Sequence, residues 1–196
     1  MHKSLYVIRE EHRALSAVLT AARRLLDDVR ARGATPDFGV FRAMLHYIEA
    51  FPERFHHPKE DRYLFRRLEE RDPGRKPLLD RLRAEHADCP PAVRALAQAL
   101  ARYEQGGPQA LDEFIRALDE YIAFHWRHMA TEENEVLPAA QQALSAADWA
   151  ELDAAFGSNA DPLVGRQAGA EFDALLRKIV EIVPAPYGMG APWPRK

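Results

Sequence analysis

The chain is poor in the features that mark several common functions. It has one cysteine, Cys89, in 196 residues, which excludes an internal disulfide and any zinc cluster built on thiolates, so its stability has to come from packing. Its 27 Lys and Arg residues stand against 30 Asp and Glu, for a net charge of −3. They never gather into the basic stripe that nucleic acid or an anionic lipid surface requires, so neither nucleic acid nor membrane is expected as a partner. No stretch approaches the roughly 20 apolar residues of a membrane span. Acids stand in the first segment, Met1 to Glu11, where a secretory leader would need an apolar run, and the expected location is cytoplasmic. Period-two alternation and Asn-Gly hairpin signals are missing as well, which argues against strands. Against these absences stand eight histidines.

Apolar residues recur at helical spacing almost throughout, so the chain reads as all-α. Leu5, Ile8, His12, Leu15, Leu19, Ala22 and Leu26 form a first stripe ending at Gly33. Thr35-Pro36-Asp37 supplies N-cap chemistry for a second, which carries Phe41, Leu45, Ile48 and then His56 through Leu68, and stops at Asp72-Pro73-Gly74. A third runs Leu79, Leu82, His86, Cys89, Val93, Leu96, Leu100 to Gly106-Gly107-Pro108, and a fourth runs from Leu111 through His125, His128, Glu132 and Val136 to Pro138. Long amphipathic helices joined by short Gly/Pro turns predict an up-down-up-down four-helix bundle over residues 1–140. Residues 141–183 are expected to form a C-terminal helical extension packed on the bundle, with one helix capped at Ser145 and a last one from Phe172 to Val183. Residues 184–196 form a Pro/Gly-rich tail.

Two histidines occupy core slots of the odd-numbered stripes: His12 between Ile8 and Leu15, and His86 between Leu82 and Cys89, each preceded by an acid, Glu11 or Glu85. The even-numbered stripes repeat one another too. His56-His57-Pro58-Lys59-Glu60-Asp61-Arg62-Tyr63-Leu64-Phe65 aligns without gaps on His128-Met129-Ala130-Thr131-Glu132-Glu133-Asn134-Glu135-Val136-Leu137. The chain therefore reads as two helical hairpins, each carrying a histidine and then His-x-x-x-Glu. Residues four apart on a helix share a face, so the imidazole and the carboxylate can converge on one ion or bridge to its neighbour. One such pair carries little weight, because surface i, i+4 pairs are common. Four histidines in equivalent slots of a repeat are another matter: buried rings without a shared partner would each leave an unsatisfied group costing roughly 1–3 kcal/mol. Four nitrogens and two carboxylates, without thiolate and with positions left for small ligands, predict a dinuclear site for non-haem iron or manganese rather than structural zinc.

The pattern of His12, Phe55-His56-His57-Pro58-Lys59-Glu60-Asp61 with Leu64-Phe65, Glu85-His86, and His128-Met129-x-x-Glu132-Glu133-x-x-Val136-Leu137-Pro138 resembles the hemerythrin-like HHE cation-binding proteins of bacteria. The resemblance implies metal ligation by His12, His56, Glu60, His86, His128 and Glu132, with Glu60 and Glu132 bridging two iron ions in an Fe–O–Fe type centre; manganese and zinc stay open. Oxygen-carrying members have a further histidine four residues away on the third helix, where this chain has Leu82 and Pro90. His125, one turn before His128, is the candidate substitute. Glu133 rivals Glu132 as the second acid, although the stripe favours Glu132. His57 is a further candidate metal ligand; with Asp61 it makes another i, i+4 pair, set about 100° round the helix from His56, whose first reading is an exposed or supporting pair. His2 and His46 have no partner at ligand spacing, and Cys89 is read as a packed core residue one turn beyond His86.

These residues imply a metal protein that binds O₂ or a related small oxidant, such as a diatomic or a peroxide, to sense, store or handle it. It reads as a binding protein more than an enzyme, with no catalytic residue assigned and oxidase or peroxidase-like chemistry as the enzymatic variant. The rival reading is a metal-stapled interaction module without redox chemistry, its partner surface built from Trp149, Phe156, Tyr187 and Trp193.

Overall fold

The computed structural model describes residues 2–33 and 35–157, and among them every regular element is helical. The first rod, α1 (Lys3–Arg32), buries Leu5, Ile8, His12, Leu15, Leu19, Ala22 and Leu26 and ends at Gly33. There φ is 60° and the N–H caps the Val29 carbonyl, a left-handed conformation that a β-carbon would strain. The second rod starts at Asp37, whose carboxylate accepts the Gly39 N–H at 2.8 Å. It runs through α2 (Phe38–Ala50), a π turn at Pro52–His56, α3 (His57–Lys59), a π turn at Glu60–Phe65, and α4 (Arg66–Arg71). The third rod, α5 (Lys76–Gly106), stays helical through Pro90 and Pro91.

The fourth rod comprises α6 (Leu111–Thr131), a π turn at Glu132–Val136 and α7 (Leu137–Ala143), so it does not close at Pro138 as the spacing suggests. Leu137 N–H bonds the Glu132 carbonyl, one residue further back than in an α-helix. That register shift absorbs the donor Pro138 lacks, and proline sits without penalty in the first turn of α7. All three π turns among the described residues contain, follow or precede a proline, and π turns inside helices often accompany functional sites.

The rods form a closed square: α1 packs on α2 and α6, and α5 packs on the same two. The core is divided in two. Leu15, Leu19, Phe41, Phe51, Val93, Leu96, Phe114 and Met129 belong to one apolar cluster, and Leu5, Ile8, Leu64, Phe65, Leu82 and Val136 to the other. His12 and His86 fall at the boundary between these clusters on α1 and α5, so a polar layer is sealed above and below by hydrocarbon.

One more helix, α8 (Ala146–Phe156), is capped by a Ser145/Asp148 capping box and packs on α1. Its Trp149, Leu152 and Phe156 join the second cluster beside Leu5 and Ile8. Arg71 holds Asp148 at 2.9 Å, and the Ser4 amide and hydroxyl both donate to Asp153 at 2.7 Å. Trp149 and Phe156 are thus committed to the core rather than to a partner surface. The expected last helix, the tail, Tyr187 and Trp193 lie outside the described residues. No helix among the described residues is long and apolar enough to cross a membrane.

Candidate metal centre

The polar layer gathers one histidine from each rod. Nε2 of His12 and Nε2 of His56 stand 3.2 Å apart, and Nε2 of His86 and Nε2 of His128 stand 3.0 Å apart. Two nitrogens each about 2.1 Å from a common ion at a right angle are about 3 Å apart, so each pair has the spacing of two ligands on one metal. Between the pairs lie Glu60 and Glu132, both fully buried. Glu132 divides its oxygens: Oε2 faces His12 Nε2 at 3.4 Å, while Oε1 faces His128 and His86 at 3.2 and 3.5 Å. Oε2 of Glu60 lies 3.3 Å from His56 and 3.6 Å from His86.

Outside the nitrogens runs a ring of carboxylates. His56 donates its Nδ1–H to Glu11 at 2.6 Å, His86 to Asp61 at 2.9 Å, His128 to Glu85 at 2.8 Å, and His12 to Glu133 at 2.9 Å. Each acid holds the histidine of the neighbouring rod, so the four bonds pass once around the bundle and close it. With every Nδ1 committed as a donor, every Nε2 faces inward. This carboxylate–histidine arrangement orients metal-bound imidazoles and raises their basicity. Each acid follows from the repeat: Glu11 and Glu85 directly precede the histidines of α1 and α5, and Asp61 and Glu133 directly follow the buried glutamates.

The electrostatics call for positive charge. Both oxygens of Glu60 and both of Glu132 are buried and form no hydrogen bond, a state rare in native interiors. Burial, with the Glu132 charge beside it, pushes Glu60 well above the carboxylate range. Glu132 is drawn well below that range, against its own burial, by the charge and contacts of His128 and by His12 and His86. Burial alone would lower His12 and His86. Contacts with Glu132 and Glu133 at His12, and with Asp61 and Glu132 at His86, instead raise both to about 9. Four inward nitrogens and two orphaned carboxylates thus fit bound metal, whose positive charge would stand in for those protons.

A sequence model of one family, described as Hemerythrin HHE cation binding domain, matches residues 3–140. The chain belongs to the hemerythrin HHE cation-binding family. No curated protein and no solved structure matches it. For a cation-binding domain of this family, the structure offers three donor groups around the central layer: His12, His56 and Glu60 in one, Glu60, His86, His128 and Glu132 in a second, and His57 with His86 and His128 in a third. Glu60 belongs to the first two.

Of the remaining candidates of this hemerythrin domain, Glu133 and His125 fall elsewhere, while His57 borders the central layer, with a donor atom within 4.8 Å of those of His86 and His128. Glu133 is not turned toward the inward nitrogens but is committed to Nδ1 of His12. His125 is buried, yet its Nδ1–H is given to the Tyr121 carbonyl at 3.2 Å and its Nε2 faces Cys89 Sγ at 3.9 Å. Burial depresses it to about 4, which keeps it neutral at ordinary pH. His57 is not exposed and is not paired with Asp61, which corrects those two parts of the expectation and leaves the supporting and ligand readings. It is buried, it lies within 3.5 Å of Glu53 instead, and it stacks on His86 with ring centroids 4.3 Å apart. The π turn that ends at His56 is the reason: its His57 N–H reaches the Pro52 carbonyl, and a wider turn rotates successive residues by less than an α-helix does, so adjacent histidines both face inward. His2 and His46 are exposed, with His2 stacked on Trp149. Sequence reasoning does not single out Glu53. Its place four residues before His57 is the signal that could have found it.

Proposed function

We propose that this protein binds two iron ions, through His12, His56, Glu60, His86, His128 and Glu132, and presents them to O₂ or a related small oxidant. The observation carrying this reading is Glu132, whose two oxygens are shared between the two histidine pairs as a carboxylate bridging two ions requires. Donors of imidazole and carboxylate type suit iron or manganese and leave positions for exogenous ligands, since each ion prefers five or six. When bound, the iron pair would supply reversible one-electron chemistry and open coordination positions.

The chain's own contribution is orientation and exclusion. The ring of Glu11, Asp61, Glu85 and Glu133 fixes the imidazoles, and the two apolar clusters keep bulk water out. A cavity of about 10 Å³ borders the imidazoles, lined by Leu15, Phe51, His56, His57, His128 and Met129 among others. That is about the space of one water, which suits a small ligand better than an organic substrate. Sensing or handling of small oxidants is therefore favoured over oxidation of bulky compounds. Metal analysis of protein from iron-replete cells should give two irons per chain. Anaerobic reduction followed by exposure to oxygen should change the visible spectrum. Absence of stoichiometric metal, or a spectrum indifferent to reduction and oxygen, would overturn the reading.

A further inference from the structure

The two halves of the repeat differ beside the centre. With His56 set on His128, His57 falls opposite Met129, and the additional imidazole opens a further polar group next to the central histidines. Glu53, His57 and Cys89 bring one donor atom each within 4.8 Å of one another. Glu53 Oε2 is 3.5 Å from His57 Nδ1, and the two side chains are only 5% and 6% exposed. Even so, Glu53 Oε1 and His57 Nδ1 form no hydrogen bond. Native interiors seldom leave such atoms without a partner, and these two lie beside a buried thiol. Cys89 gives its S–H to the Glu85 carbonyl at 3.2 Å, and Nε2 of His125 faces the same sulfur.

We propose that Glu53, His57 and Cys89 form a second cation site beside the His/Glu centre, for a single divalent ion of the zinc class, with His125 as the nearest further donor. Bonds of about 2.0–2.1 Å to nitrogen and oxygen and about 2.3 Å to sulfur place tetrahedral ligands about 3.3–3.6 Å apart, which the Glu53–His57 separation already matches. A mixed thiolate, imidazole and carboxylate set selects a borderline ion, whereas the central donors suit iron or manganese. Binding forms one metal–sulfur bond and releases the Cys89 thiol proton to water. One carboxylate and one thiolate then cancel the 2+ charge, so a neutral assembly is buried rather than a lone ion. His57 stacks on His86, which sets this ion directly against the central layer. The site uses none of the six central donors, but His57 also offers a donor atom within 4.8 Å of those of His86 and His128, so the test has to separate the two sites.

The test loads the full chain with iron, titrates it with Co²⁺, and follows the near-ultraviolet sulfur-to-cobalt charge-transfer band. Cys89 is the one cysteine in the chain, so the band has a single origin. The expected result is saturation at one Co²⁺ per chain, binding weakened at least about tenfold in Glu53→Gln, and no band in Cys89→Ser, with helicity retained. His12→Ala should lose iron and keep the band, which separates this site from the central one. No thiolate band in the unaltered protein, or an affinity that Glu53→Gln leaves unchanged, overturns the proposal. If Cys89→Ser fails to fold, the isosteric Glu53→Gln comparison decides alone.

Discussion

Glu85 and His128 sit on different rods, and the carboxylate of the first accepts the Nδ1–H of the second at 2.8 Å. Glu11 and His56 repeat the relationship in the other half at 2.6 Å. Neither acid faces the inward nitrogens, so its effect is on the direction and basicity of the imidazole it holds. Glu85→Ala and Glu11→Ala should each weaken iron binding by roughly 10–100-fold while the bundle stays folded. Competition with a coloured chelator measures the first, and far-UV circular dichroism checks the second.

Glu132 and Glu133 are neighbours with opposite assignments. Glu132→Gln removes the carboxylate placed between the histidine pairs and should lower the metal content by at least one ion per chain. Glu133→Gln keeps a carbonyl oxygen able to accept from His12, so it should retain the metal with reduced affinity. Metal content of the two purified variants, side by side, distinguishes them. Equal losses would remove the distinction drawn between bridging and orienting acids.

Removal of metal should destabilise the fold. A ligand that binds only the folded chain stabilises it by about 2.7 kcal/mol at a hundredfold excess over its dissociation constant. Iron here would also neutralise the buried carboxylates Glu60 and Glu132. The thermal midpoint should therefore fall on chelation and recover with added iron in a concentration-dependent way. An unchanged midpoint would mean that the ions contribute nothing to folding.

Asp148 ties α8 to the second rod. Hydrogen bonds from Arg71, then those with Ser145, hold its carboxyl well below the ordinary aspartate range. A depressed folded value contributes stability that is fully present above the unfolded value, about 3.9. That stability is lost as pH falls through that value toward the lower, folded one. Asp148→Asn should cost about 1 kcal/mol at pH 7, and the difference from the unaltered protein should shrink below about pH 4. Urea melts at several pH values test this, and a difference that grew on acidification would contradict it.

Phe156 is fully buried in the cluster that also holds Leu5, Ile8 and Leu64. Its truncation to alanine should cost about 3–5 kcal/mol. Loss on that scale in denaturant melts would show that α8 belongs to the core. A cost near zero would show it to be a detachable appendage.

Much of this arrangement is legible in the chain's spacing and repeats. The all-helical class follows from apolar spacing, and His12, His56, Glu60, His86, His128 and Glu132 follow from the repeat, because i, i+4 geometry is local and duplication copies it. Other features are not legible there. Pro138 reads as a stop, yet the π turn before it supplies the register in which proline fits. His57 reads as turned away from His56 at α-helical rotation, yet the π turn beneath it brings both rings inward.

By itself the sequence determined the helices, the donor types and their pairing at one-turn spacing, since these depend on the 3.6-residue repeat alone. Only the tertiary structure decided which acid holds which imidazole, that Glu133 is committed to Nδ1 of His12, and that Glu53, His57 and Cys89 meet. Those contacts cross between rods, and they depend on how far each rod is rotated about its axis. Three proline-associated π turns set that rotation, and no single-helix periodicity records it.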